Sequence, residues 1–171
     1  MAGAVLSPDR AVAFLEHMHQ ATSDADLSGA MEEIAEVVGQ ATRENFEQES
    51  DPDGNPWIQW VFRSLGAPAN KKTLQSSGRL LASTQVGGPD HVQTIQKDGL
   101  VFGTAVPYAG THQFGETVTT DVPLVSRSGF RLKAGSTLNI PARPFLGWTD
   151  EVLNEAAEII GAHVMDEIER G

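Results

Sequence analysis

The chain has 171 residues, enough for one domain with its own core, or for one domain plus an extended arm. Hydrophobic residues make up 40% and charged residues 20%, as in an ordinary globular chain, and the lack of cysteine excludes disulfides, thiolate metal sites and a cysteine nucleophile. The net charge of −11 divides into −10 over residues 1–60, +5 over residues 61–148 and −6 over residues 149–171, which argues against a free duplex-binding surface, since that needs a concentrated basic face.

Acidic ends around a basic middle suit head-to-tail or ring contacts between copies; they equally suit two solvated acidic helices around a strand region. The first residues lack a charged segment followed by a continuous apolar stretch, so no secretory signal is expected. No apolar run approaches the roughly 18 residues of a membrane span. The expectation is a soluble chain made in the cytoplasm.

In chain order, Ser7-Pro8-Asp9 predicts a helix start, with a hydroxyl cap, a proline in the first turn and an acid at the positive dipole end. Ala11, Phe14, Leu15 and Met18 follow at helical spacing, and residues 1–26 form a possible N-terminal helical arm. A longer helix carries Leu27, Met31, Ile34, Val38 and Ala41 on one stripe, with Glu32, Glu33 and Glu36 opposite. It stops at the turn cluster of residues 51–56. Residues 57–65 fit either a short helix or an extended segment. Residues 74–84 predict a short helix interrupted at Gly78. Two strand-like runs, residues 91–97 and 100–106, flank Asp98-Gly99, a strong hairpin signal. Residues 116–140 alternate apolar and polar, predicting an extended loop or hairpin. Thr149 caps a last helix whose apolar face is Leu153, Ala157, Ile160, Val164 and Ile168. Helices, then strands, then a helix predict a single α+β domain over 1–171, a small antiparallel sheet packed by N-terminal helices and one long C-terminal helix.

Catalytic constellations are not evident: there is no nucleophile elbow, no Walker loop and no Gly-x-Gly-x-x-Gly. His17 and His19, two apart on a predicted helix, point roughly 200° apart and cannot share a metal. His91 begins a strand, His163 borders the buried face of the last helix, and His112 with Glu116 supplies only two ligands. No enzyme activity, cofactor or metal is expected.

Rigid, aromatic-rich loops are the most distinctive feature. Pro52-Asp53-Gly54-Asn55-Pro56-Trp57 is a stiff turn that delivers a tryptophan. Tyr108-Ala109-Gly110-Thr111-His112-Gln113-Phe114-Gly115 sets Tyr, His and Phe beside two glycines. Ile140 to Trp148 contains Pro141 and Pro144, which remove backbone donors and exclude a central strand. Between them Arg143 is held where a guanidinium makes paired hydrogen bonds at low entropic cost. Trp57 and Phe145 are expected to plug the core. For Arg143, Trp148, His112 and Phe114 core closure and a subunit contact are both open; with Tyr108 they are the candidate subunit-interface residues, since Trp, Tyr and Arg are enriched at interfaces.

Four stretches, Pro52–Trp57, Gly78–Ser83, Tyr108–Gly115 and Pro141–Gly147, follow in the order found in one family. Over about residues 27 to 170 the chain resembles the phage virion morphogenesis (tail completion) family, which includes the Mu-like G protein and the P2-type tail completion protein. The excursion at 116–140 is longer than in compact members. The resemblance implies a structural virion protein at the head–tail junction, or neck, of a tailed phage, which completes the tail and joins it to the filled head. It implies a homo-oligomeric ring, with six- or twelve-fold symmetry expected, contacting neck, tail-terminator or head-closure proteins. DNA would pass through the lumen without specific binding. The alternatives are a tail terminator ring and an assembly factor absent from the finished particle.

Overall fold

The longest apolar stripe of the sequence becomes helix α1, Ser28–Gln48, in a computed structural model that describes residues 26–59, 72–125 and 131–170. Ala30, Met31, Ile34, Ala35, Val38, Thr42 and Phe46 are buried along it, and Glu32, Glu33 and Glu36 are exposed. Its start is fixed by the Ser28 amide donating to the Asp26 carboxylate at 3.0 Å and the Leu27 amide donating to the Lys97 carbonyl at 2.9 Å. Its end is set by Glu49, which takes a left-handed conformation (φ 56°) and returns its N–H to the Asn45 carbonyl. The helix expected near residues 8–18, and with it the possible arm, lies outside the described residues.

Helix α2 is short, Arg79–Ala82, and Gly78 begins it rather than interrupting it. Gly78 has φ 73°, a conformation that glycine adopts without steric cost and that turns the chain into the helix. Strands β1, His91–Gln96, and β2, Gly99–Thr104, form the expected antiparallel hairpin. The turn is Lys97-Asp98, one residue earlier than predicted, since Gln96 pairs with Gly99. No turn residue has positive φ, so the mirror-type turn signalled by Asp-Gly does not form. Ile95, Leu100 and Phe102 line the inner face against α1; Val92, Thr94 and Val101 face out.

After α3, Ala109–Phe114, the described residues of 116–140 form one antiparallel strand pair enclosed in sequence by another. β3, Glu116–Thr119, pairs with β6, Thr137–Ile140, and between them β4, Leu124–Val125, pairs with β5, Arg131–Leu132. The architecture is α+β as expected, but the single small sheet is replaced by three separate two-stranded ribbons among the described residues.

Helix α4, Asp150–Arg170, starts at the expected cap: the Val152 amide donates to Thr149 Oγ1 at 3.2 Å. Its buried stripe begins with Val152 and Ala156, one position earlier than Leu153 and Ala157, and then meets the expected row at Ile160, with Val164 packed beside it; the Ile168 side chain lies outside the described ones. Both stripes are apolar, and contact with α1 selects between them. Leu27, Ala30, Met31, Ile34 and Val38 of the α1 segment pack against that stripe, and each large side chain so buried contributes about 1.5–3 kcal/mol. His163 joins this seam, accepting a close approach over Gly29 and pairing with Glu33 at 2.8 Å. No helix among the described residues is long and apolar enough to cross a membrane.

Candidate functional site: a motif knot that displays aromatics

The far end of α1 carries a second core. Phe46, Trp57, Leu80, Val106, Ala109 and Phe145 cluster there; Trp57, Leu80, Ala109 and Phe145 come one from each distinctive stretch of the sequence. Phe46 meets Trp57 edge-on with ring centroids 5.4 Å apart and meets Phe145 at 5.5 Å. Trp57 and Phe145 therefore plug the core as expected.

Hydrogen bonds then tie the stretches to one another. Trp57 Nε1 donates to the Pro144 carbonyl at 2.8 Å, and Asn45 Nδ2 donates to the Phe145 carbonyl at 3.1 Å. The Gln113 side chain substitutes for a strand partner: Oε1 accepts the amides of Phe145 (3.0 Å) and Leu146 (3.2 Å), and Nε2 donates to the Leu146 carbonyl at 2.7 Å. This satisfies a proline-broken segment that no sheet can pair. Gly147 leaves room for the Pro52 ring, which lies only 2.6 Å from where a Cβ would stand.

Arg143 is the centre of the knot. Its side chain has 0% exposure. Its amide donates to the His112 carbonyl at 2.6 Å, Nε donates to the Ile58 carbonyl at 2.8 Å and Nη1 to the Pro141 carbonyl at 3.3 Å. Nε and Nη1 thus go to two separate backbone carbonyls of its own chain, not as a bidentate pair to one acceptor group. A buried guanidinium offers no surface to a neighbour, so its effect on any contact between copies acts through the shape of the loops.

The other interface candidates separate by exposure. Phe114 is 80% exposed, Trp148 56% and Tyr108 39%. Each is anchored within a residue or two of the knot: Phe114 follows Gln113, and Trp148 follows Gly147. Tyr108 packs edge-on against the half-buried His112 ring, with centroids 5.9 Å apart. Ile58, 62% exposed, joins this group through its carbonyl on Arg143. Sequence reasoning missed it, because periodicity leaves residues 57–65 undecided. Such large apolar side chains on rigid loops form the anchors typical of protein–protein contacts.

Burial, and after it the charge of Arg143, lowers the His112 imidazole from its ordinary value of 6.5. Its Nδ1 is buried with no hydrogen-bond partner. Glu116 does not help it, being bonded to Thr111 at 2.7 Å. Between the lowered folded pKa and the unfolded value the unfolded chain binds more protons, so stability is intact above about pH 6.5 and falls as pH drops below it. A His112→Gln variant is expected to lose that part of the acid-side slope; urea midpoints between pH 5 and 7.5 with parent and variant sloping alike would refute it. Among the described residues no three His, Asp or Glu groups are placed to hold a metal ion.

Comparison with curated proteins and with solved structures returns no match. The family model described as the phage virion morphogenesis family matches residues 10–165, most of the chain and all four stretches that build the knot. The chain therefore belongs to the phage virion morphogenesis family, and its role lies in the assembly of a phage virion.

Proposed function

We propose that this chain is a non-catalytic structural protein of a tailed-phage virion, sited at the head–tail junction, where copies of it complete the tail and join it to the DNA-filled head. Family membership across residues 10–165 carries the reading. The geometry supports it physically. The four stretches are spent on one cross-braced core, and that core holds Phe114, Trp148 and Ile58 outward at fixed positions. A subunit that must dock in register on its neighbours needs such preset anchors, since rigid side chains lose little entropy on binding. The acidic surface also suits a lumen through which DNA slides, because like charge keeps phosphate affinity low.

The test is electron microscopy of lysates from a phage lacking this gene. The expected picture is filled heads beside separate tails of normal length. Overlong tails would assign the chain to the tail terminator, and joined, normal particles would refute a joining role. Complementation with Phe114→Asp plus Trp148→Asp is expected to leave the chain folded yet reproduce the defect of the null phage. Peptide mass spectrometry of purified particles separates a resident subunit from a transient assembly factor.

A further inference from the structure

Beside the seam of α1 and α4 runs an open cleft of about 450 Å³. Its α1 wall is a single row, Glu36, Gln40 and Glu44, spaced i, i+4, i+8 and so rising about 12 Å along the helix. Glu151 and Glu155 stand on the α4 wall, Asp51 closes one end, and Val37, Ala41 and Val152 add apolar lining. Glu44 accepts a hydrogen bond from Gln40 at 2.9 Å and Asp51 is bonded to Asn55, but none of these five carboxylates makes an ion pair among the described residues.

A second observation points to an occupant. Ser50 lies in the cleft wall, is 5% exposed, and its hydroxyl has no hydrogen-bond partner. Buried hydroxyls are nearly always satisfied, so this one leaves at the cleft wall a hydrogen-bond demand that the described residues do not meet. A single metal ion does not fit, since among the described residues no three acids converge on one point. A row of separated carboxylates over apolar lining fits long basic side chains, whose stems bury while their heads pair.

The chain itself holds such groups. Arg131 and Lys133, in the 116–140 excursion, are exposed and make no ion pair among the described residues. The excursion's described strands pair only with each other, and none of its described residues enters either core cluster or lines the cleft. An isolated ribbon is marginally stable in water and gains from a surface to lie on. The N-terminal 25 residues have the wrong sign for the cleft, with Asp9, Glu16 and Asp24 against Arg10.

We propose that the acidic cleft between α1 and α4 receives the Arg131–Lys133 side of the 116–140 excursion from a second copy of this chain. The inference rests on the reading that copies assemble with one another, and it makes the contact heterologous, cleft to arm, the type that closes into rings.

Because the chain has no cysteine, the contact can be tested by placing one on each side. Full-length Gln40→Cys and Lys133→Cys chains are mixed and oxidised, with Thr94→Cys on the outer face of the β1–β2 hairpin replacing Gln40→Cys as the control. The expected result is a disulfide-linked pair from Gln40→Cys and none from the control. In parallel, sedimentation velocity follows Glu36→Lys plus Glu44→Lys, and Arg131→Glu plus Lys133→Glu. Each reversal is expected to weaken self-association about tenfold or more at low salt, and mixing the two variants is expected to restore it. Association that survives both reversals, without the cross-link, overturns this contact and leaves self-assembly standing. A chain that is monomeric at every concentration overturns both.

Discussion

Arg143→Ala is expected to lower the unfolding free energy by about 3–5 kcal/mol, a large share of the roughly 5–15 kcal/mol available to a domain of this kind. Three costs combine. The side chain is fully buried, so truncation leaves a cavity. The part-buried carbonyls of Ile58 and Pro141 lose their donor, at about 0.5–1.5 kcal/mol for each lost hydrogen bond. And the Ile140–Trp148 segment, whose prolines bar it from a ladder, loses the side chain that braces it to residue 58. Removing a buried charge returns part of this, because its desolvation is no longer opposed. Three variants apportion the effect in urea titrations. Arg143→Met keeps the packed stem and should recover part of the loss over Ala, while Arg143→Lys, with one donor head, should not reach both carbonyls. His112 gives an independent readout: with the Arg143 charge gone, its imidazole pKa should rise part of the way back, burial still holding it down. An Ala variant within about 1 kcal/mol of the parent would mean that the guanidinium does not brace the loops.

That arginine also shows where sequence reading stops. The α1 stripe and the Thr149 cap were legible because periodicity and capping are local, and both recur in the structure. The β1–β2 hairpin was legible for the same reason. Its turn moved by one residue because the Lys97 carbonyl is claimed by the start of α1, a partner far away in sequence. The first half of the α4 stripe moved, from Leu153 and Ala157 to Val152 and Ala156, because two adjacent apolar rows compete there and only α1 chooses, while Ile160 and Val164 keep their expected place. Nothing in a Pro-Ala-Arg-Pro run says whether the guanidinium faces solvent or backbone carbonyls; that depends on Ile58 and Pro141 standing beside it while the His112 carbonyl takes the Arg143 amide. Ile58 escaped notice altogether, since no pattern surrounds it. The four distinctive stretches were thus visible, but which of their aromatics close the core and which stay exposed was not. Residues with the most distinctive spacing hold the frame, and the display falls to their neighbours.

A second large effect is expected at Gly115, the residue that joins α3 to β3. Its backbone sits at φ 75°, ψ 159°, a region essentially closed to any residue with a Cβ. A Cβ there would also lie 2.8 Å from the Ala142 amide nitrogen and 3.1 Å from the Ile140 carbonyl oxygen, both backbone atoms that cannot swing aside. Gly115→Ala therefore adds backbone strain to a steric collision, together about 3–5 kcal/mol. The damage should be specific, because Glu116 pairs with Ile140 one step further on, and relief of the collision pushes β3 and β6 apart. Gly147→Ala is the informative intermediate: its backbone is not left-handed, and the whole penalty comes from the Pro52 ring 2.6 Å away. Gly110→Ala is the control, inside α3 with nothing within 4 Å of its Cβ, and should be neutral or stabilising by up to about 1 kcal/mol. Thermal midpoints should therefore rank Gly110→Ala highest, Gly147→Ala next and Gly115→Ala last. If Gly115→Ala instead melts with Gly110→Ala, the α3–β3 junction does not hold the conformation on which the placing of Phe114, the excursion and the cleft contact all depend.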